Sequence, residues 1–429
     1  MSGTDAEWQG GRVRAVVTGL GPISAVGCDR AAFWQSLVSG QHGFGPITLC
    51  DASGSPSKIA AEVKGFNLAD YVDNGRTLGR RLPRGISLGL AAAARALTDA
   101  GLDPAMCDSE RIGINVGTSI GNLSSVFELV RRFTPTSRRH LPGRSAFHVF
   151  NHAAACVLSS VLDIRGPSHT TSTGCNSGLD ALGHALRLIQ AGVVDAMLVV
   201  GTDCEVVTEV IACLNASGSL ATRYNDDPGR ASRPFDVDRD GNVIGEGAAA
   251  VLLESEVHAR ARGARIYAEM TSHAVCSAGQ HREYSHDHPE TDLGPCVRAF
   301  RAALAESRWS PTDVDVVSAN GSSSRIYDRV EGLALGEVFG DALPDVRIHS
   351  IKSMLGQHGA GSSMLQVAAA CLTLFCGTIP PTINHDQPDP ECGPLRVVTH
   401  ADPCTPTRAM VHAIGLGGFY YSVGAFQTM

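Results

Sequence analysis

The sequence predicts an α/β protein built on buried mixed or parallel sheets. Three observations point there. Short β-branched apolar runs recur along the chain, and helical patterns fall between several of them. The layout is also doubled, each half holding a strand, a helix, a loop of small polar residues and a closing hairpin-like pair.

The strands are placed at Arg14–Gly19, Gly113–Gly117, Ala196–Gly201, Ala248–Leu253, Asp315–Val317 and Ala409–Ile414, all apolar and rich in β-branched residues. Runs of this kind suit strands covered on both faces. Helices are predicted at Gly85–Ala100, Ser177–Ala191, Gly294–Glu306, Tyr327–Phe339 and Ser362–Phe375. The seam between the halves is placed at Ser255–Ala264, "SEVHARARGA", which gives an N-terminal half over 13–254 and a C-terminal half over 265–429. No low-complexity tract or flexible linker parts them, so they are expected to pack as one body.

Composition excludes several classes of function. The chain has 429 residues, 43% of them hydrophobic, with 47 Gly and 21 Pro, the profile of a globular protein rich in tight turns. A net charge of −8 offers no attraction to nucleic acid or an anionic membrane. No apolar stretch reaches the roughly 18 residues that a membrane span needs, and residues 1–12 lack the apolar core of a signal peptide. Thirteen cysteines are scattered without CxxC spacing, which predicts a reduced, cytoplasmic chain.

The chemistry starts at "TTSTGCNSGLDALGHALRLIQAG", Thr170–Gly192. Cys175 follows a strand-like stretch and precedes a helix. Amides at a helix N-terminus stabilise an anion, so a thiolate there is expected to have a lowered pKa. The flanking Gly174 and Gly178 permit a sharp turn and a close backbone approach. Taken alone, the motif also fits a small buried cysteine, as most of the other twelve must be.

Five further runs accompany it: "VVTGLGPISAVG" (16–27), "RPFDVDRDGNVIGEGAAAVLLE" (233–254), "NGSSSRIYDRVEGLALG" (320–336), "KSMLGQHGAGSSMLQVAAACL" (352–372) and "GLGGFYYSVGAF" (415–426). With the cysteine motif, and from about residue 13 to the end, the chain resembles the β-ketoacyl-acyl-carrier-protein synthases of the thiolase superfamily, in the elongating branch of fatty acid and type II polyketide synthesis. The resemblance implies a five-layered α/β/α/β/α fold of two similar halves and a tight dimer. It also implies Cys175 as the acyl-accepting thiol. The partner would be an acyl carrier protein whose phosphopantetheine carries the substrate, with no bound cofactor. Two histidines normally assist the cysteine in decarboxylating malonyl-carrier protein.

The sequence departs from that pattern at both histidines. Asn320 stands where the first opens a His-Gly-Thr-Gly-Thr run, and Gln357 where the second ends Lys-Ser-Met-x-Gly-His. Asp328, Glu331 and Lys352 keep their places, and a one-residue register change would bring His358 to the second position. The gating aromatics are replaced by Asn242 and Leu416, and Phe419 and Tyr420 replace a small polar pair, so these residues are expected around the thiol pocket.

Neither Asn nor Gln can serve as a general base near pH 7, though both can donate to a thioester carbonyl or an oxyanion. By resemblance, the backbone amides of Cys175 and Leu416 form the oxyanion hole. Transthioesterification needs a thiolate and an oxyanion hole and little more. Three readings follow. The first is a ketosynthase-like acyltransferase or cyclase that resolves a Cys175 thioester without decarboxylation. The second is a non-catalytic, chain-length-factor-like partner of an active ketosynthase. The third is a condensing enzyme using His358. The assembly expected is a homodimer, or a heterodimer with another ketosynthase.

Two charged runs lie outside these motifs. "HREYSHDHPETD" (281–292) lacks HExxH order or a cysteine partner, so no metal is expected. The basic "RRFTPTSRRHLPGR" (131–144) reads as a solvated loop or part of a docking face for the anionic phosphopantetheine arm and acidic carrier protein. The Gly-rich 19–27 stretch lacks GxGxxG order and is not a dinucleotide fingerprint.

Overall fold

Strands buried on both faces form the frame of the computed structural model, which describes residues 13–132, 145, 149–279 and 292–429. The first half contributes β1 (Ala15–Ile23), β2 (Ile112–Gly117), β3 (Ser168–Thr171), β4 (Ala196–Cys204) and β5 (Ile244–Ser255). The second contributes β6 (Ala268–Ser277), β7 (Val316–Ser318), β8 (Arg347–His349), β9 (Arg408–Ile414) and β10 (Tyr420–Gln427). The spatial orders are β1-β5-β4-β2-β3 and β6-β10-β9-β7-β8, so the two sets share one topology.

Strand directions agree as well. β2 runs parallel to β3 and β4, and β5 is antiparallel to β4 and β1. In the second set β7 runs parallel to β8 and β9, and β10 is antiparallel to β9 and β6. Ala15–Val17 of β1 pair with Ala268–Met270 of β6, which joins the two sets edge to edge.

Helices fill the layers between and outside these sheets. Against the outer face of the first sheet lies α1 (Arg84–Ala100), with α2 (Ala153–Leu162) beside it. α3 (Ser177–Gln190) sits in the middle. On the outer side of the second sheet are α4 (Gly294–Ser307) and α5 (Arg325–Phe339), and α6 (Ala360–Cys376) packs on α3 between the sheets. The result is the expected α/β/α/β/α layering. In β5, Ala249, Val251 and Leu253 face the central cluster with α3 and α6, while Ala248, Ala250 and Leu252 face α1. Both faces being apolar, the strand shows no polar alternation. Residues 360–374 of α6 are all buried, so that helix has no polar face at all.

The basic run 131–144 and the histidine-rich run 281–292 lie, apart from Arg131, Arg132 and Asp292, outside the described residues. Among the described residues no helix is long and apolar enough to cross a membrane.

Candidate active site

The N-termini of α3 and α6 meet in the central layer, where Leu179 N donates to Ser363 Oγ, and Cys175 lies two residues before α3 begins. Gly174 turns the chain out of β3 with φ +72°, a conformation that an L side chain resists. Ser177 fixes the turn: its Oγ donates to the Gly174 carbonyl at 2.5 Å and accepts from Thr173 N at 2.8 Å. A Cβ built on Gly174 would stand 3.8 Å from the Leu416 amide nitrogen, so the Gly415–Leu416 backbone lies against the elbow. Cys175, Asn242, Asn320, Gln357 and Leu416 line one pocket there.

The two amides that replace the expected histidines are oriented by their partners. Asn320 Oδ1 accepts from Lys352 Nζ at 2.7 Å and from Ile414 N at 3.1 Å. With its oxygen engaged, Asn320 presents its NH2 group to the pocket. Gln357 is pinned by its backbone, donating to Val243 O at 2.8 Å and accepting from Gly245 N at 2.8 Å. Its side chain hydrogen-bonds the Cys175 thiol and eases ionisation, as an N–H donor to sulfur does. Its Oε1 is buried without a partner, as is Asn242 Oδ1.

Asp328 and Glu331, three residues apart on α5, hold the loop that carries Asn320. Glu331 accepts from Asn320 N at 2.6 Å and Gly321 N at 2.8 Å, and also from His412 Nδ1 at 2.6 Å. Asp328 accepts from Ser322 N, Ser323 N and Phe235 N at 2.9, 3.1 and 2.9 Å. Burial pushes the Asp328 carboxyl up to about 6 and the Lys352 ammonium down to about 8.

The thiol departs from the sequence expectation. Burial pushes Cys175 up to about 11, with Glu205 and Asp203 adding to the rise. The nearby Lys352 charge and the Gln357 hydrogen bond only partly oppose this. The helix start offers little relief, because its amides are engaged elsewhere. Ser177 N donates to Gly174 O at 3.0 Å and Leu179 N to Ser363 Oγ at 3.2 Å. The lowered thiol pKa expected from the helix N-terminus is therefore not what these surroundings produce.

His358 is not brought to the pocket. Its ring packs against β5, where a Cβ on Gly245 would fall 2.7 Å from its Nε2, and that nitrogen is buried without a partner. Phe419 and Tyr420 are also outside the pocket lining, 37% and 42% exposed. Left-handed Gly417 and Gly418, with Gly415 N bonded to Tyr420 O at 2.9 Å, turn the chain so that both side chains face outward. Sequence reasoning missed Glu205 and Tyr327, which line the pocket. The available signal for Glu205 was "TDCE", two acids closing an otherwise apolar strand, where α/β proteins commonly place functional groups.

Comparison with known proteins places this geometry. Residues 13–259 match the family described as Beta-ketoacyl synthase, N-terminal domain, and residues 267–386 match Beta-ketoacyl synthase, C-terminal domain. The chain is 35% identical over 417 residues to the Putative polyketide beta-ketoacyl synthase 1 of Streptomyces cyaneus, covering 96% of this chain and 97% of that protein. It is 36% identical over 393 residues to the Tetracenomycin polyketide synthase ketoacyl synthase alpha subunit of Streptomyces glaucescens, covering 88% and 89%. Among solved structures, a chain of a type II PKS acyl-carrier protein in complex with its ketosynthase bound to the hexaketide superposes with a TM-score of 0.88 at 28% identity, covering 98% of this chain and 100% of that one. A chain of the ishigamide ketosynthase/chain length factor gives 0.86 at 29%, covering 98% and 100%. With both family domains matched in order over one thiol pocket, the chain belongs to the β-ketoacyl synthase family.

Proposed function

We propose that the protein is a ketosynthase-like acyltransferase or cyclase of polyketide or related secondary-metabolite biosynthesis. It takes an acyl group from the phosphopantetheine of an acyl carrier protein onto Cys175 and passes it to a nucleophile without decarboxylating malonate. The observation that carries this reading is the pairing of a retained thiol with a hydrogen-bonding amide at Gln357, with Asn320 lining the same pocket. The amides polarise a carbonyl but shuttle no proton. Leu416, whose backbone lies against the elbow, and Cys175 supply the oxyanion-hole amides in this reading. Asp328, Glu331 and Lys352 position Asn320.

The chain-length-factor-like reading has one feature in its favour, the surroundings that push the Cys175 thiol up rather than down. Intact-mass analysis after exposure to a panel of acyl-carrier proteins separates the two. Acyl transfer predicts an adduct that disappears in Cys175→Ala. No adduct from any donor would favour a non-catalytic partner subunit.

A further inference from the structure

Glu205 follows the last residue of β4 and is 7% exposed. It lines the same cavity as Cys175, and that cavity is small, about 50 Å³. An acyl group bound at the thiol shares that cavity with the carboxyl group. Among the described residues, the Glu205 carboxyl has neither a hydrogen-bond nor an ion-pair partner.

Asp203, two residues earlier, is placed quite differently. Its carboxylate accepts from Thr118 Oγ1, Ser119 N, Ile120 N and Ala360 N at 2.6, 2.8, 3.2 and 2.7 Å. Both acids abut Gly359, where a Cβ would stand 2.4 Å from Asp203 Oδ2 and 2.7 Å from Glu205 Oε1. Burial raises the Asp203 carboxyl as well, but its four donors oppose the rise, so of the two acids Asp203 is the one whose charge is stabilised. Burial and the Asp203 charge hold the Glu205 carboxyl well above the usual carboxylate range, which favours its protonated form. A neutral carboxyl has both a proton to give and an oxygen to receive one.

We propose that Glu205 is a catalytic residue, the proton relay for thioester exchange at Cys175. This rests on the acyl-transfer reading above. As the bond from Cys175 Sγ to the acyl carbon forms, the thiol proton passes to the carbonyl oxygen of the Glu205 carboxyl. As the bond from the acyl carbon to the pantetheine sulfur breaks, the hydroxyl proton of the same carboxyl passes to that sulfur. The products are the Cys175 thioester, a free pantetheine thiol and Glu205 again neutral. Transfer to an acceptor runs likewise, the acceptor's proton entering the carboxyl and the other leaving to Cys175 Sγ. No charge is left over and no co-reactant is needed.

The other ionisable groups nearby are engaged. Tyr327 Oη accepts from Gly417 N at 2.8 Å, and Lys352 Nζ stands behind Asn320. His358 packs against Gly245. A relay through Glu205 also spares the thiol from ionising ahead of attack.

The test uses the full chain and acetyl-N-acetylcysteamine thioester, a donor that needs no carrier docking. Acylation of Cys175 is followed by intact mass, and alkylation of Cys175 by iodoacetamide is followed in parallel. Glu205→Gln is expected to slow acylation about 100-fold or more, as loss of a positioned proton-transfer group does. Alkylation should proceed at about the wild-type rate, since it asks for no proton relayed to a leaving sulfur. Glu205→Asp, which keeps the acid but shortens its reach, should fall between. Acylation of Glu205→Gln at the wild-type rate would overturn the relay and leave acyl transfer standing. Loss of both reactions in Glu205→Gln would show that the side chain shapes the pocket, which also overturns the relay. If wild type is alkylated but never acylated, the acyl-transfer reading falls and the relay with it.

Discussion

Lys352 donates from Nζ to Asn320 Oδ1 at 2.7 Å, with both side chains buried. That bond engages the amide oxygen and leaves the NH2 group of Asn320 as the donor available to the pocket it lines. Gln357 likewise donates to sulfur. Decarboxylation of a malonyl thioester builds negative charge on the thioester oxygen, and these neutral amides answer it with no proton shuttle. Carboxyl-labelled malonyl-carrier protein is therefore expected to release no labelled carbon dioxide above the uncatalysed rate, even with Cys175 acylated. Asn320→His with Gln357→His should recover some release but not full elongation, because Asn242 and Leu416 leave the entrance altered. Robust release by wild type that vanishes in His358→Ala would establish the condensing reading.

The thiol's surroundings reverse the order of cysteine labelling that the motif alone suggests. With Cys175 pushed up to about 11 by burial, little thiolate exists at pH 8. Cys107, Cys156 and Cys213 are exposed. Iodoacetamide at pH 8 should label those three before Cys175, and the Cys175 rate should keep rising beyond pH 10. Peptide mapping over a pH series measures both. Cys175 labelling first at pH 8 would mean that the helix terminus outweighs burial.

Most interior strands and the long helices are legible in the sequence because burial on both faces leaves strong patterns, but β6 and β10, interior strands with polar or glycine residues among the apolar ones, are not. The apolar pattern marks Ala248–Leu253 within β5, which runs Ile244–Ser255, and Ser362–Phe375 within α6, which runs Ala360–Cys376. β3 and β8 were not legible. "SHTT" is polar and lies at a sheet edge, and "RIH" is only three residues long. At the site, the family resemblance placed Cys175, Asn242, Asn320, Gln357 and Leu416 around one pocket, and the loops at strand and helix ends bring them together there. Glu205 escaped because its partnerlessness is a tertiary property. The outward turn of Phe419 and Tyr420 depends on paired left-handed glycines that a linear pattern does not reveal.

His358 gives the pH dependence its sign. Burial holds its imidazole down to about 3, against 6.5 in an unfolded chain. Between those values the unfolded state binds the extra proton, so stability falls as pH drops through 6.5 toward 3 and is untouched above that window. By pH 5 the loss is about 2 kcal/mol. His358→Leu should shrink the stability difference between pH 7 and pH 5 by about that amount in urea unfolding. His349, buried and held near 4, keeps its own share of the acid sensitivity. An unchanged difference would mean that His358 reaches solvent or a proton partner.

The last prediction concerns the open edge of the first sheet. β3 pairs with β2 on one side and ends the strand order on the other, and Ser168 and His169 are exposed. An uncovered edge invites another strand. Ile114 N donates to Pro167 O at 2.8 Å and Thr118 N to Thr171 O at 3.0 Å. In a parallel pair alternate residues turn their polar groups to opposite sides, so Thr170 directs its amide outward. A second copy pairing there would continue the sheet across the assembly, as the family resemblance implies. Light scattering at micromolar concentration is expected to give twice the 44.9 kDa of one chain. Thr170→Pro removes the outward donor while sparing the bonds to β2, and should give a folded monomer by circular dichroism and scattering. A folded wild-type monomer would overturn the homodimer. If wild type dimerises only when mixed with a second ketosynthase, the same edge serves a heterodimer, and the chain-length-factor-like reading gains.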